Sequence, residues 1–339
     1  MSVVTFRKAL QSEVTDFVKN IKDNDDRVFL QDTIPTIVSQ LLFYREEGKF
    51  LYPEVYLIKD SSAIQGLPFL QKQMISRGKE NAETVCKAIK KCAPLCENSW
   101  SIYLLVSEGT IEYGLFSGGE SLTSVHREDI LISDSPNAQS VVCVRVLRDK
   151  LISVRKNDRS LHVYFDITDE RDVEPFDESQ QQCIRKIISA LDETELEPQT
   201  NFLRRLFTHV FRYGHGTLAC VVDKDAKVES IFTDGIILPE PIDFVKILDP
   251  KSRESIPKQM GLYELLSGML QSDGITVFTD DGKVLAYNVF IKLSEQKEGK
   301  KTMGGARSRA FESLGDIKNV SAAYMQSQDG KVTVYERGK

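Results

Sequence analysis

Two Asp-Gly pairs near the carboxyl terminus constrain the fold more than any other feature of this sequence. Asp281-Gly282 and Asp329-Gly330 each separate two apolar runs. The four runs are Ile275–Phe278, Val284–Ile291, Ala322–Met325 and Val332–Tyr335. An Asp-Gly pair readily adopts the positive φ angles of a tight turn, so each pair predicts a β-hairpin.

An arginine-rich segment lies between the two predicted hairpins. Lys300 and Lys301 precede Gly304-Gly305, which leads into Ala306-Arg307-Ser308-Arg309. A helix that begins here would present unpaired N–H groups and a partial positive charge, and the glycines would let a phosphate approach its backbone. Arginines in a first helical turn oppose the helix dipole unless an anion compensates. The pattern therefore indicates a polyphosphate site, and the alternative is a solvated basic patch that pairs with the protein's own carboxylates.

Asp273 lies between a helical pattern and the first predicted strand. The helical pattern consists of Leu262, Leu265, Leu266 and Met269. An aspartate before glycine at such a junction is commonly a turn or cap residue. Its alternative role is to hold a divalent metal that helps to deprotonate a sugar hydroxyl, which requires phosphate-binding cations nearby. His215, between two glycines, is a weaker candidate ligand.

Composition excludes several classes of function. The chain has 339 residues and a net charge of −6, so no overall positive field supports binding to polymeric nucleic acid. No apolar run approaches the roughly 20 residues that span a bilayer, and the amino terminus lacks a signal-peptide core. We therefore expect a cytoplasmic protein without a membrane partner. The six scattered cysteines predict reduced thiols, and the spacing of Cys86, Cys92 and Cys96 is not that of a zinc site.

The first half of the chain changes from helices to strands. Apolar spacing predicts a first helix through Leu10, Val14, Phe17, Val18 and Ile21. A second helix is predicted to begin near Thr33, with Pro35 in its first turn and an inward face formed by Ile37, Val38, Leu41 and Leu42. Further predicted elements are a strand at Tyr52–Ile58, a helix at Glu80–Lys91, and strands at Ile102–Val106, Ile111–Phe116, Val141–Val146, Leu151–Val154 and Leu161–Ile167. This pattern is typical of an α+β unit with a largely antiparallel sheet.

The acidic segment Thr168–Asp177 contains Pro175 and predicts a domain boundary. The predicted domains are an N-terminal α+β domain, residues 1–172, whose role is unknown and for which a regulatory role is one hypothesis, and a second domain, residues 173–339. Two helices open the second domain, the first through Ile184, Ile187, Ile188 and Leu191 and the second through Leu203, Leu206, Phe207 and Val210. The second helix is predicted to stop at Gly214-His215-Gly216, before a buried strand, Thr217–Val222. The fold class of the whole chain is α/β.

Four motifs in the second half resemble, in the same order, those of the diadenylate cyclase (DAC) domain family, the DisA N-terminal-like domains. They are Gly214–Leu218 before an apolar strand, Leu262–Leu265, Asp273-Gly274, and Gly305–Ala310. The family carries Asp-Gly-Ala, a hairpin, and then Gly-Thr-Arg-His-Arg-Ala at this separation. The resemblance covers about residues 200–339.

The resemblance implies a mixed sheet, flanked by helices, that binds an NTP or dNTP. In the family, two such domains face each other in a homodimer or larger homo-oligomer and join two ATP molecules into cyclic di-AMP. By position, Asp273 would be catalytic, holding Mg²⁺ or Mn²⁺ and activating the 3′-hydroxyl, and Arg309 would stabilise the departing pyrophosphate. The remaining nucleotide-binding positions would be Gly274, Gly305, Ala306, Arg307 and Ser308.

The chain departs from the family pattern at several positions. Ile275 stands in place of alanine, Ala306 of threonine, Ser308 of histidine, Gly315-Asp316 of Ser-Glu, and Ser327 and Gln328 of two glutamates. Without these acidic residues, the chain lacks carboxylates of the family that could bind a metal. Without the histidine, it lacks a residue that could take part in base recognition and cyclisation. Two functions stay open: a nucleotidyltransferase that makes a cyclic or linear dinucleotide, and an inactive nucleotide sensor that regulates an effector protein, as proposed for DAC-like domains in bacterial signalling and antiphage systems. A protein-interaction scaffold is the third alternative.

Overall fold

The structure, a computed structural model, describes residues 6–21, 23–96, 99–118, 121–133, 141–157, 159–165, 176–192, 196–249, 255–292, 305–328 and 331–338. Contacts between residues divide the chain into two compact units, Met1–Glu120 with Val125–Glu170, and Ser121–Ser124 with Arg171–Lys339. Several segments named above lie outside the described residues: residues 168–175 of the predicted boundary, Lys300, Lys301, Gly304 and the turn Asp329-Gly330.

The first unit contains five described α-helices and a seven-stranded sheet. The helices are α1 (Phe6–Val18), α2 (Asn24–Leu42), α3 (Ser62–Gln65), α4 (Ala82–Cys92) and α5 (Arg127–Ser133), and a 3-10 turn covers Ala93–Leu95. The strands are β1 (Arg45–Glu46), β2 (Lys49–Phe50), β3 (Glu54–Ile58), β4 (Gln71–Lys79), β5 (Ser101–Ser107), β6 (Thr110–Ser117), β7 (Val141–Arg148), β8 (Leu151–Lys156) and β9 (Arg159–Tyr164). β1 and β2 form a separate two-stranded ribbon.

β3 lies at the centre of the first sheet, whose strand order is β4-β6-β5-β3-β7-β8-β9. It pairs in parallel with β5 and antiparallel with β7, and all other pairs in this sheet are antiparallel. Side chains alternate between the faces, so Val55 and Leu57 pack with α1, α2 and α4, while Tyr56 and Ile58 pack with α3 and α5. The prediction of a largely antiparallel α+β unit is confirmed.

The predicted start of the second helix is wrong. α2 begins at Asn24, nine residues before Thr33. Asp23 is its N-cap, and the Asp23 carboxylate accepts a hydrogen bond from the N–H of Asp26 at 2.9 Å. Pro35 therefore lies inside the helix, where burial of the surrounding apolar side chains compensates for the hydrogen bond that proline cannot donate.

All six cysteines are free thiols, as the sequence predicts. Cys92 is buried at the end of α4, and burial raises the pKa of its thiol to about 11. The Cys96 thiol donates a hydrogen bond to the Cys92 carbonyl oxygen at 3.3 Å. The cysteine cluster therefore contributes to packing.

The second unit contains six described helices and a second seven-stranded sheet. The helices are α6 (Phe176–Ile187), α7 (Leu196–Tyr213), α8 (Val228–Ile231), α9 (Phe244–Leu248), α10 (Ser255–Gln271) and α11 (Ala306–Asp316). The strands are β10 (Thr217–Val222), β11 (Phe232–Thr233), β12 (Ile236–Asp243), β13 (Ile275–Thr279), β14 (Lys283–Ile291), β15 (Val320–Gln326) and β16 (Val332–Glu336).

The second sheet is mixed. Its strand order is β11-β14-β13-β10-β15-β16, and β12 also pairs with β14. Only β10 and β13 are parallel among the described pairs of this sheet. Leu314 of α11 packs on one face with Cys220 and Val277, while Phe207 of α7 contacts the rings of Phe278 and Tyr324 on the other face. The predicted mixed sheet with flanking helices is confirmed.

The apolar pattern of the sequence does not predict two edge strands, β4 and β12. β4 is mostly exposed, and its Lys72 and Arg77 pair with Glu112 of β6 at 3.0 and 2.9 Å. β12 contains Pro239 and Pro241, and its register with β14 is interrupted between its two ends. Edge strands tolerate polar residues and proline because one side needs no hydrogen-bonded partner, so alternation and β-propensity do not reveal them.

None of the helices in the described ranges combines the length and apolar character needed to cross a lipid bilayer.

Candidate functional site

The segments that precede β10 and β13 lie at one edge of the second sheet. The two strands are adjacent and parallel, with Ala219 opposite Thr276. Gly216 lies one residue before β10 and Asp273 two residues before β13, so both lie at the same edge of the sheet. Adjacent strands are about 4.8 Å apart. We call Gly214–Gly216 together with Ser272–Gly274 the entry edge.

Two threonine hydroxyls fix the carboxyl end of α10 at the entry edge. Thr217 Oγ1 donates a hydrogen bond to the Leu270 carbonyl oxygen at 2.9 Å, and Thr276 Oγ1 donates one to that of Met269 at 3.0 Å. Asp273 lies two residues beyond the end of this 17-residue helix, and it is exposed. A helix carboxyl terminus carries partial negative charge, which adds to that of the carboxylate. This position favours a bound cation.

α10 is held against α7 by aromatic packing. Tyr263 contacts the rings of Phe202 and His209, and its hydroxyl donates a hydrogen bond to the Arg205 carbonyl oxygen at 3.3 Å. Burial raises the pKa of Tyr263 to about 12 and lowers the pKa of His209, to which Arg212 also contributes. These contacts position the helix that leads into Asp273.

Gly274 is required by a close backbone contact. Its φ is +81°, and a Cβ atom there would lie 2.7 Å from the carbonyl carbon of Asn288 in β14. Gly235, with φ +68°, approaches Asn288 from the other side of β14, where a Cβ atom would lie 1.9 Å from the Asn288 carbonyl oxygen. Asn288 has a φ of +55°, at an irregularity in the β13–β14 pairing. Asp273-Gly274 and Asp234-Gly235 therefore flank one strained residue.

The arginine-rich segment forms the start of α11, as predicted. Gly305 is the N-cap, with a φ of −68°, and the N–H of Arg309 makes the first helical hydrogen bond to the Gly305 carbonyl oxygen at 3.2 Å. Gly305 offers no side-chain cap, and the first turn contains no acidic residue. Within the described residues, the N–H groups of the first turn therefore have no carboxylate cap, which suits an anion.

Arg307 connects α11 to the entry edge. A Cβ atom at Gly216 would lie 2.3 Å from Nη1 and 2.9 Å from Cζ of Arg307, so the guanidinium occupies the space above this buried glycine. Gly216 has a φ of +118°, and the carbonyl oxygen of Gln326 lies 3.2 Å from the same Cβ position. Arg307 is half-buried, and no described residue forms an ion pair with it. Its charge therefore lies at the sheet edge that also bears Asp273, and it has no ion-pair partner in the described part of the chain.

The other predicted residues of α11 occupy different positions around the helix. Ala306 is exposed, Ser308 is half-buried and Arg309 is exposed. Residues two apart in an α-helix are separated by about 200° of rotation, so Arg307 and Arg309 do not share a face. The structure brings Arg307 to the entry edge and leaves Arg309 on another side of the helix.

Two departures from the DAC pattern have structural roles. Ser327 closes the β15–β16 connection, since its N–H donates to the Lys331 carbonyl oxygen at 2.8 Å and its Oγ accepts from the Lys331 N–H at 2.9 Å. Gly315 packs beneath Tyr335, where a Cβ atom would lie 3.4 Å from the ring. These positions serve packing and turn formation in this chain.

A divalent cation fits the entry edge only if a ligand brings further donors. Among the described residues, no group of three or more His, Cys, Asp or Glu side chains could hold a metal. Asp273 offers one exposed carboxylate. Mg²⁺ commonly keeps several waters and binds one or two carboxylates together with substrate phosphates, so this single carboxylate fits a metal that arrives with a polyphosphate.

Three contributors to the site were not found from the sequence. The contact between Gly216 and Arg307 joins residues 91 positions apart, and no local pattern predicts it. Asn288 lies within an otherwise regular strand pattern. Asp234-Gly235 carries a turn signal of the same kind as Asp281-Gly282, and that signal was sufficient to identify it.

No model of a known protein family matches the chain, and no curated protein matches it significantly. The resemblance to DAC domains therefore stays a prediction, and function is argued below from the geometry of the entry edge.

Proposed function

We propose that the second unit binds nucleoside triphosphates at the entry edge and condenses two of them into a cyclic or linear dinucleotide, with release of pyrophosphate. The contact of the Arg307 guanidinium with Gly216, at the sheet edge that also bears Asp273, is the observation that carries this proposal. It joins three motifs that are far apart in the sequence: 214–216, 273–274 and 305–309.

The charges at the entry edge match those of a metal–nucleotide complex. Arg307 and the amino terminus of α11 form a positive end, suited to phosphates. Asp273, just beyond the carboxyl terminus of α10, forms a negative end, suited to a metal ion or a sugar hydroxyl. A polyphosphate carrying Mg²⁺ or Mn²⁺ complements both ends at once.

Each residue then has a defined role. Arg307 binds a phosphate of the incoming nucleotide, and Gly305 and Ala306 let that phosphate approach the first N–H groups of α11. Ser308 extends the phosphate contacts, and Gly274 lines the nucleoside site, whereas Arg309, on another side of α11, has no contact with this phosphate. Asp273 orients the 3′-hydroxyl, and the metal it holds would lower the pKa of that hydroxyl.

A catalytically inactive nucleotide sensor is the second candidate. The observations that favour it are that no group of three or more His, Cys, Asp or Glu side chains among the described residues could hold a metal, and that Ser327 serves the β15–β16 connection. In this case the nucleotide would regulate an effector protein, with the first unit as a regulatory module.

The condensation joins two nucleotides, each held by one copy of the site. We therefore expect a homodimer or a larger homo-oligomer, which light scattering after size-exclusion chromatography measures. The substrates are cytoplasmic metabolites, in agreement with the expected localisation.

One experiment tests the function directly. The purified protein is incubated with each NTP and dNTP, singly and in pairs, with Mg²⁺ or Mn²⁺, and products are resolved by mass spectrometry. Dinucleotide and pyrophosphate in equivalent amounts support the enzyme. Tight nucleotide binding without pyrophosphate, in any mixture, supports the sensor.

A further inference from the structure

Asn288 of β14 has a backbone conformation that glycine would adopt with less strain. Its φ of +55° lies in the left-handed region, where residues other than glycine are uncommon. Gly274 and Gly235 enforce this conformation, since a Cβ atom at either position would clash with the Asn288 backbone. Residues in such conformations persist where the surrounding structure enforces them, and they cluster at ligand-binding and catalytic sites. The Asn288 side chain is therefore a candidate for a role in binding.

The Asn288 side chain lies against Gly274, the residue that follows Asp273. The three described atoms nearest to the Cβ position of Gly274 all belong to Asn288, and its Oδ1 lies 3.0 Å from that position. Asn288 is half-buried, and no described residue forms a hydrogen bond with its side-chain amide. An amide offers two N–H donors and one carbonyl acceptor. These groups are thus available to a ligand that lies against Gly274.

A ribonucleotide has a hydroxyl group that suits this amide. In the proposed function, Asp273 orients the 3′-hydroxyl and Gly274 lines the nucleoside site. The 2′-hydroxyl is on the neighbouring carbon atom of the sugar, so a polar group beside Gly274 can reach it. A hydroxyl both donates and accepts hydrogen bonds, and an amide matches it in both respects. Among the described residues, Asn288 supplies the polar side-chain atom nearest to Gly274.

We propose that the Asn288 amide binds the 2′-hydroxyl of the nucleotide and makes the site selective for ribonucleotides over 2′-deoxyribonucleotides. This inference rests on the proposed function, because it takes Asp273 as the residue that orients the 3′-hydroxyl. A site that hydrogen-bonds a substrate hydroxyl discriminates against the analogue without it, because its own polar group then stays unpaired. The substrates would be NTPs and not dNTPs, whichever base is bound.

Nucleotide affinities of the full-length protein test the proposal. The probes are the four NTPs and the four dNTPs with Mg²⁺, as α,β-methylene analogues that cannot release pyrophosphate, and calorimetry measures each Kd. The NTP that binds best should bind about tenfold more tightly than the dNTP with the same base, since the dNTP lacks one hydrogen bond. Asn288→Gly keeps the positive φ without strain and removes the amide. In this variant NTP affinity should fall to that of the dNTP, while dNTP affinity stays unchanged.

Asn157→Gly is the matched control. Asn157 has a φ of +52° in the first unit, so the same side chain is removed from the same backbone conformation. This variant should keep the preference of the parent for NTP over dNTP. The Tm of both variants shows whether they fold.

Three results would overturn the proposal: equal affinity of the parent for NTP and dNTP, a preference for NTP that survives in Asn288→Gly, or an equal loss of affinity for both nucleotides in this variant. A 2′-O-methyl NTP should bind the parent no better than the dNTP does, because its methyl group would meet the amide. If Asn288→Gly does not fold, this probe decides, and binding as tight as that of the NTP would contradict the proposal. A parent that binds no nucleotide at all would instead end the proposed function, and this inference with it.

Discussion

At the residue scale, Gly216 and Arg307 define the candidate site together. The guanidinium of Arg307 takes the volume that any side chain at position 216 would need, and the φ of +118° at Gly216 also favours glycine. The backbone conformation of Gly216 therefore decides where the positive charge of Arg307 lies. Both substitutions below follow from this contact.

Arg307→Ala should weaken nucleotide binding by about 1.5 to 3 kcal/mol, or tenfold or more, because a charge-assisted contact with phosphate is lost. Isothermal titration calorimetry with ATP and Mg²⁺ measures the change. Arg185→Ala is the matched control, since Arg185 is exposed on α6 in the same unit. Equal affinity of Arg307→Ala and the parent would place the nucleotide elsewhere.

Gly216→Ala should weaken nucleotide binding about tenfold as well, because the new methyl group displaces the guanidinium of Arg307. The double variant Gly216→Ala/Arg307→Ala should bind no more weakly than Arg307→Ala alone. Additive losses in this cycle would mean that Gly216 acts on binding by another route. Thermal unfolding of each variant reports the separate effect of strain at position 216.

At the element scale, the start of α11 and the end of α10 supply partial charges of opposite sign to one sheet edge. Helices of 11 and 17 residues are long enough for these terminal charges to act. The strands fix the distance between the two termini, because Thr217 and Thr276 anchor α10 while Gly216 receives Arg307. The geometry of the candidate site therefore depends on the positions of its helices and strands as much as on its side chains.

Gly305→Ala tests whether a phosphate approaches the start of α11. The φ of −68° suits alanine, and no atom of the described residues lies within 4 Å of the new Cβ position, so the fold should tolerate the change. Nucleotide affinity should still fall severalfold, because the methyl group occupies the path of the phosphate. Gly261→Ala in α10 is the control, since no atom of the described residues lies within 4 Å of its new Cβ position either. This substitution should stabilise the helix by about 1 kcal/mol and leave nucleotide affinity unchanged. Parent-like affinity of Gly305→Ala would exclude this approach.

A buried ion network ties α5 to β7 and β8 in the first unit. Glu128 and Arg145 are 3% and 4% exposed and lie 2.9 Å apart, and Arg155 lies 3.2 Å from the same carboxylate. Glu128→Gln should lower the free energy of unfolding by about 3 to 5 kcal/mol, because it leaves Arg145 buried with less compensation. Urea unfolding measures the loss. Glu83→Gln, at an exposed pair on α4, should change stability very little, and equal effects of the two would contradict the assigned role of burial.

At the scale of the whole molecule, the two proposed functions differ in whether the proposed nucleotide binding would lead to turnover. Condensation needs two bound nucleotides, an activated hydroxyl and a leaving pyrophosphate, whereas a sensor needs only binding and a response. The enzyme and sensor hypotheses make different demands on Asp273. An enzyme needs its carboxylate for turnover, whereas the proposed nucleotide binding depends mainly on the cations of α11.

Asp273→Asn keeps the shape of the side chain and removes its charge. If the protein is an enzyme, product formation should fall by at least about a hundredfold while nucleotide affinity changes much less. Pyrophosphate release and calorimetry on the same preparations measure the two quantities. A parent protein that binds nucleotides tightly and releases no pyrophosphate with either metal would end the enzyme hypothesis.

The sequence by itself determined the elements with strong local signals. Period-two apolar runs and the Asp281-Gly282 turn predicted β13 and β14, and glycine before an arginine-rich helix predicted the start of α11. These signals are local because hydrogen bonding in turns and helix starts involves residues only a few positions apart. Local signals misplaced the start of α2 and missed β4 and β12, where tertiary burial and an edge position outweigh propensity.

Only the tertiary structure decided which of the candidate residues meet. It brought Arg307 onto Gly216, at the sheet edge that also bears Asp273, placed Arg309 on another side of α11, and put Asn288 between two Asp-Gly pairs. Such contacts depend on strand order and register, which are set by packing of whole faces against the core and leave no trace in the spacing of neighbouring residues.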